Sequence, residues 1–181
     1  EDSGRVAKPK STRRGASAAV VEREMKDPGL PLLAVPDTRQ ALGRLAGVWR
    51  QCFPVPMVAV TGSNGKTTVK EMLAAIFSPL APTLVTPGNF NNDIGVPLTL
   101  FGLGHEHRFG VIEMGANHAG EIAALTRLVQ PQVAVITQCA PAHLEGFGSI
   151  EGVARAKAEI YAGLGAGGTA VINADDTYAD Y

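Results

Sequence analysis

Charge is scarce in this 181-residue sequence. Only 18% of its residues are charged, against about 25% in an average soluble domain, and the formal net charge is −1. No excess of either sign is available to attract a polyanion or an acidic membrane, so neither a nucleic-acid nor a membrane partner is expected. Cysteine is nearly absent. Cys52 and Cys139 are the only two, they are far apart in the chain, and neither sits in a metal-type spacing; a reducing cytoplasmic compartment is the expectation. No apolar run approaches the ~18 residues of a membrane span, and no signal peptide, internal repeat or low-complexity tract is recognisable. The sequence opens on Glu1 rather than Met, which suggests that its natural start lies elsewhere. What is plentiful is apolar content, at 45%, and glycine, at 21 residues. The first fits a globular core, and the second fits many turns between short strands and helices.

One stretch organises the rest: Val58-Ala-Val-Thr-Gly-Ser-Asn-Gly-Lys-Thr-Thr68. Its alternating apolar residues predict a buried strand, Thr61 to Gly65 a turn, and Lys66 the start of a helix with apolar residues at Val69, Met72, Leu73, Ile76 and Phe77. A strand, a glycine-containing turn and a helix opening on Gly-Lys-Thr form a phosphate cradle, because the free N–H groups and the dipole of a helix N-terminus favour an anion. Gly62 and Gly65 let the backbone approach phosphate, Lys66 reaches the terminal phosphates, and the Thr67 hydroxyl suits Mg²⁺. The match to the usual loop is incomplete, since Val60 stands where a glycine is usual. An ordinary strand-to-helix turn is the alternative.

Before this stretch, residues 1 to 14 are polar and basic and read as a solvated terminus. Short strands are expected at 18–21 and 32–35, separated by a turn at Asp27-Pro28-Gly29. Asp37 caps a helix to about Arg50 with Leu42, Leu45 and Trp49 inward. Phe53-Pro-Val-Pro56 reads as a linker. From Met57 onward strands at 57–61, 83–86, 109–114, 133–137 and 169–173 alternate with helices at 66–77, 93–102, 118–129 and 149–162. This alternation predicts an α/β fold, a parallel sheet flanked by helices on both faces.

Polar residues follow the carboxyl ends of these strands, where ligands of open parallel sheets bind. Thr61 and the cradle follow the first, Asn89, Asn91, Asn92 and Asp93 the second, Glu113 the third, and Thr137 and His143 the fourth. A carboxylate at Glu113 ends an apolar run, which is costly unless it is paired or holds a metal; a surface or outer-sphere role is the alternative. His143 suits either a structural or a ligating role. His105 and His107 flank Glu106 in a polar turn and read as surface, and no partner is visible for either or for His118. Cys139 reads as packing. The Asn-rich turn could serve turn chemistry alone or hold a polar substrate. Lys157 falls on the apolar stripe Ile150, Val153, Ala154, Tyr161 and Leu164 of a helix capped by Ser149. It either snorkels its head to water or stays desolvated with a lowered pKa.

Taken together, Thr61 to Thr68, Gly88-Asn-Phe-Asn-Asn-Asp-Ile-Gly-Val-Pro97, Glu113-Met-Gly-Ala-Asn117, and Ala142-His-Leu-Glu-Gly-Phe-Gly148 with Ala154-Arg-Ala-Lys157 resemble the Mur ligase family over about residues 15 to 181. The Asn-rich and His-Leu-Glu-Gly-Phe-Gly runs are similar to the branch that adds D-alanyl-D-alanine. The resemblance implies a three-domain ligase. Residues 1–53 would be the remnant of the N-terminal UDP-sugar substrate domain, and residues 54–181 a truncated central ATP-binding domain of phosphate-loop type, with the C-terminal domain absent. It implies a monomeric cytoplasmic enzyme of peptidoglycan precursor synthesis that uses ATP and Mg²⁺. ATP would phosphorylate the carboxylate of a UDP-MurNAc-tripeptide, and the amine of D-Ala-D-Ala would displace phosphate from the acyl phosphate.

Carried onto this sequence, the resemblance makes Gly62, Ser63, Asn64, Gly65, Lys66, Thr67 and Thr68 the ATP loop. It makes Asn89, Asn91 and Asn92 the loop facing the muramyl peptide, and Thr67, Glu113, His143 and Lys157 the metal site. Lys157 takes the place of a lysine that the family carbamylates to ligate Mg²⁺. Lys66, His143 and Lys157 would be catalytic. No counterpart of the family's uridine-binding motif precedes Gly15, and Gln138-Cys139-Ala140 is an unusual lead-in to the histidine. The chain alone is expected to bind nucleotide weakly and not to ligate. Another Mur ligase, a folylpolyglutamate-type synthetase, or a nucleotide-binding fragment without activity are the alternatives.

Overall fold

The structure, a computed structural model, describes residues 15–23, 29–141 and 144–180. The basic stretch up to Arg14, the turn residues Asp27 and Pro28, and His143 lie outside the described residues. The chain divides into two compact units, one up to Leu42 and one from Gly43. The division falls inside a helix, whereas the sequence placed it at the Pro-rich linker after residue 53.

In the first unit, β1 (Ala19–Val21) pairs with β2 (Leu32–Ala34) in parallel, Ala19 opposite Leu32. Parallel pairing requires a crossover connection rather than a hairpin turn. The helix α1 (Thr38–Gln51) begins here. Asp37 Oδ1 accepts from the Gln40 N–H at 2.9 Å, and Glu22 accepts from Thr38 N–H and Oγ1 at 3.0 and 2.7 Å. Two carboxylates thus satisfy N–H groups that the first helical turn leaves open.

The second unit is built on a five-stranded sheet of order β4-β5-β3-β6-β7, every pair parallel. Its strands are β3 (Met57–Thr61), β4 (Thr83–Val85), β5 (Phe109–Glu113), β6 (Val133–Ile136) and β7 (Thr169–Val171). Between them run α2 (Lys66–Phe77), α3 (Gly95–Leu100), α4 (Glu121–Val129), the short α5 (Leu144–Phe147) and α6 (Ile150–Ala158), then a single 3₁₀ turn at Tyr161–Gly163. The central strands are the most apolar because a parallel sheet is covered on both faces. Ala59, Val60, Val111 and Ile112 are fully buried, and Ala46, Met57, Val96, Leu100, Met114, Ile122, Val129 and Ile160 join them in the core. Strand order reverses around β3, where β5 and β6 flank the same strand. The carboxyl end of β3 is therefore the switch point at which such sheets open a crevice.

The inward face of α1 differs from expectation. Leu45 and Trp49 are 51% and 40% exposed, and Leu42 is half-buried, while Gly43, Ala46 and Arg50 are buried. Close approach decides this. A Cβ at Gly43 or Gly47 would sit 3.5 or 3.4 Å from the Leu128 side chain, so the helix packs through its small residues. Arg50 enters the interior because carbonyls await it: Val129 O at 2.9 Å, Val55 O at 2.8 Å, and Phe53 O. Burial lowers the pKa of its guanidinium. Trp49 keeps its indole N–H on Leu103 O at 3.2 Å and its ring against Phe53.

The histidine turn also differs. His107 is largely buried, its Nδ1 accepting from Gly104 N–H at 3.1 Å and lying 3.4 Å from Glu106. His105 is exposed and meets Phe53 edge-on. His118 has a partner in Glu121 at 3.0 Å.

Candidate functional site

The loop after β3 is set by two glycines in conformations that side chains resist. Gly62 has φ 151° and Gly65, the residue before α2, has φ 77°. A Cβ on Gly62 would run into Thr137 Oγ1. The loop is also tied to the end of β6. Ser63 N–H donates to Gln138 O at 2.7 Å, the Ser63 hydroxyl donates to Ala140 O at 2.8 Å, and Thr137 Oγ1 donates to Asn64 O at 2.6 Å. Lys66 folds back over the loop, its Nζ 2.8 Å from Gly62 O and 3.4 Å from Ser63 O. Asn64, Gly65, Thr67 and Thr68 are exposed. The result is a concave run of backbone at a helix N-terminus, which is a site for an anion.

Beside it stands Glu113, the last residue of β5 and only 2% exposed. Its backbone N–H donates to Thr86 Oγ1 at 2.9 Å. Its carboxylate accepts from the Thr67 hydroxyl at 3.0 Å and from Asn91 Nδ2 at 2.8 Å, and Lys70 Nζ lies 4.0 Å away. The buried carboxylate anticipated from the sequence is therefore paired, and it holds Thr67, the hydroxyl expected on a metal. One hydroxyl and one carboxylate together make the hard oxygen set that Mg²⁺ prefers beside phosphate.

The Asn-rich turn divides its labour. Asn91 turns inward to Glu113, and its carbonyl accepts from Gly115 N–H at 2.8 Å. Asn92 Oδ1 accepts from Gly95 N–H at 2.8 Å and from Ile94 N–H at 3.2 Å, which caps α3. Asn89 alone of the three has an exposed side chain and no side-chain hydrogen bond among those described. Gly95 is needed because a Cβ there would meet the backbone of Phe90.

Lys157, on α6, is 5% exposed. Ser149 caps that helix, accepting from Gly152 N–H at 3.1 Å. Burial first and the charge of Lys66 second lower the Lys157 pKa to about 8, while Cys139 acts the other way. The desolvated alternative, not the snorkelling one, describes this side chain. Cys139 is half-buried, and its thiol pKa is raised by burial and then by Asp176, so it is a poor nucleophile. A recess lined by Ile136, Cys139, Ala154, Tyr161, Asn173 and Asp176 opens on the same helix.

The fold thus brings Gly62 to Thr68, Glu113 and Asn91 into one hydrogen-bonded group and places Lys157 within electrostatic reach of Lys66. Lys70 and Thr86 were missed. Their signals were the position of Lys70 four residues after Lys66, on the same helix face, and a threonine ending a short strand. Among the described residues, no three histidine, cysteine, aspartate or glutamate side chains form a metal-binding group.

Residues 60–181 match the family model of the Mur ligase middle domain. The chain belongs to the Mur ligase family. It is 55% identical over 162 residues to the UDP-N-acetylmuramoyl-tripeptide–D-alanyl-D-alanine ligase of Escherichia coli strain K12, covering 90% of this chain and 36% of that protein. It is 55% identical over 171 residues to the ligase of the same name from Haemophilus influenzae, covering 92% and 37%. Among solved structures, MurF from Acinetobacter baumannii superposes with a TM-score of 0.89 at 46% identity, covering 93% of this chain and 37% of that one. A MurF ligase from Thermotoga maritima in complex with ADP superposes with a TM-score of 0.84 at 33% identity, covering 91% and 39%. The chain thus spans a little over a third of the length of the Mur ligases it matches.

Proposed function

We propose that this chain supplies the nucleotide-binding part of an ATP-dependent amide ligase that joins D-alanyl-D-alanine to a UDP-MurNAc-tripeptide through an acyl phosphate. Such a step belongs to cytoplasmic peptidoglycan precursor synthesis, and among the described residues no helix is long and apolar enough to cross a membrane. The observation that carries the reading is the contact of the Thr67 hydroxyl with the buried carboxylate of Glu113, 3.0 Å apart at the mouth of the phosphate loop. On this reading residues 54–181 form the ATP-binding domain, and residues 1–53 belong to a domain on the UDP-sugar side.

The loop backbone from Gly62 to Thr68 binds the phosphates of ATP. Lys66 moves from the Gly62 and Ser63 carbonyls to the transferring phosphoryl group and stabilises its negative charge, an electrostatic contribution. Thr67 and Glu113 are the residues that would hold Mg²⁺, which supplies charge neutralisation on the phosphate oxygens. Asn91 keeps Glu113 facing that position. Asn89, exposed in its turn and without a side-chain hydrogen bond among those described, is available to the muramyl-peptide substrate.

Lys157 is the amine to be carbamylated. Its nitrogen attacks CO₂, one proton leaves, and the product is an anionic carbamate whose oxygens suit Mg²⁺. Only the free amine reacts, and a pKa of about 8 supplies more of it near neutrality than an ordinary lysine does. His143 would complete the catalytic group.

Calorimetric titration of the chain with ADP and Mg²⁺ tests the reading. Saturable binding is expected, weakened at least about 10-fold in Lys66→Ala, the loss that goes with one charge-assisted hydrogen bond. Undiminished binding in Lys66→Ala would refute the loop assignment. Phosphate release with D-Ala-D-Ala, glutamate and other amines as acceptors, measured on a protein that includes the remaining length of its relatives, separates this ligase from other Mur ligases and folylpolyglutamate-type enzymes.

A further inference from the structure

A lysine with no exposed surface is rare in a folded protein, and Lys70 is one: its side chain is 0% exposed. It lies on α2 one turn beyond Lys66, too deep to reach a ligand in the loop. Its Nζ is 3.1 Å from Thr86 O, 3.4 Å from Gly88 O and 2.9 Å from Glu71 Oε1. Those contacts account for the three donors of an ammonium. At 4.0 Å from the Glu113 carboxylate, Lys70 also forms an ion pair with it. Thr86, whose carbonyl Lys70 holds, receives the Glu113 backbone N–H on its hydroxyl. Gly88, also held, opens the turn that carries Asn91, and Asn91 donates to the other oxygen of Glu113. One side chain therefore touches the nucleotide helix, the end of β4, the start of the Asn-rich turn and the carboxylate at the loop mouth.

We propose that Lys70 is a positioning residue: it holds Glu113 and the Thr86–Gly88 backbone in the geometry that lets magnesium join the nucleotide. This rests on the nucleotide–magnesium reading above. Packing alone does not require a cation here. A methionine fills similar volume without an ammonium to desolvate, and the site keeps the charge where a carboxylate needs a counter-charge. Lys70 touches no substrate itself; it acts through Glu113.

The test is ADP affinity measured with and without Mg²⁺ in the wild-type chain and in Lys70→Met. In the wild type, Mg²⁺ is expected to tighten ADP binding. In Lys70→Met, binding without Mg²⁺ is retained and the tightening by Mg²⁺ falls about 10-fold or more, the usual effect of losing a group that orients a metal ligand. A substitution that merely loosened the core would weaken both measurements alike. A wild type without any Mg²⁺ effect overturns the nucleotide–magnesium reading and this proposal with it. A wild-type Mg²⁺ effect that persists in Lys70→Met overturns the role of Lys70 alone. Should Lys70→Met fail to fold, the double variant Lys70→Met, Glu113→Gln decides. Recovery of the fold shows that Lys70 answers the charge of Glu113, and continued unfolding shows a purely structural lysine and overturns the proposal.

Discussion

The lowered pKa of Lys157 makes this residue a source of pH-dependent stability. Its folded pKa is about 8 against 10.5 for the free side chain. Between these values the unfolded chain binds more protons than the folded one, so stability rises with pH across that window. Below about pH 8 the full cost of burying the charge is present, on the order of 3 kcal/mol from the size of the shift. Denaturant unfolding of wild type and Lys157→Met from pH 7 to 11 should show the wild type gaining on the variant between pH 8 and 10.5; parallel curves would contradict the desolvated lysine. Carbamylation has its own signature. Mass spectrometry under native conditions with bicarbonate should find one added CO₂ on the wild type and none on Lys157→Ala, and a small carboxylate should restore magnesium-dependent ligation to the same variant of a protein that includes the remaining length of its relatives. Gly62 gives a third residue-scale expectation. Gly62→Ala places a Cβ against Thr137 Oγ1 at a φ of 151°, so it should lose about 1–3 kcal/mol of stability and most nucleotide binding. Retention of both would mean that the loop has room it does not show.

At the scale of elements, the helices are placed by polar contacts that reach across the fold. Arg50 joins the end of α1 to the last carbonyl of α4 and to the Phe53–Val55 linker. Arg50→Met strands the Val129 and Val55 carbonyls, each costing about 1–3 kcal/mol, while the Phe53 carbonyl keeps the Val55 N–H. A midpoint drop in urea larger than that of Arg44→Met, on the exposed side of the same helix, is the expected result. Glu159 plays a similar part for α4, accepting from Gly120 N–H at 2.7 Å and Ala123 N–H at 3.0 Å. Periodicity revealed α2, α4 and α6 and located the strands within one or two residues. It misjudged α1, because a helix that packs through Gly43, Gly47 and Ala46 buries few of its large residues and leaves Leu45 and Trp49 outside. The Asn-rich turn was readable as polar but not as divided. Whether Asn92 caps α3 or meets a substrate depends on where Gly95 stands, and that is set by the contact of Gly95 with Phe90.

For the whole molecule, the second unit from Gly43 carries the sheet, the loop and Lys157 together. A ligand bound only by the folded form should stabilise this unit by about 2.7 kcal/mol at a concentration 100 times its Kd. Mg²⁺ with ADP should therefore raise the melting temperature in a concentration-dependent way, and at the same ligand concentration the shift should fall to about half or less in Lys66→Ala. A shift of equal size in both would place the nucleotide elsewhere.

The sequence by itself determined the class of fold and the identity of the loop. Alternating strand and helix patterns leave few arrangements other than a parallel sheet, and Gly-Lys-Thr after a buried strand specifies its own local geometry. The family was equally legible, because four short runs in a fixed order carry it. Only the tertiary structure decided which groups act together. Thr67, Glu113 and Asn91 come from three separate stretches, and the order β4-β5-β3 brings them together at the carboxyl end of the sheet. It also decided that Lys70 lies fully inside and that Lys157 is desolvated beside a second cation. Burial and charge at a point depend on everything packed around it, and a helical stripe shows only the face on which a residue falls. The loop that Gly62 and Gly65 shape is thus a local property of its residues, and the carboxylate and lysine that attend it are a property of the fold.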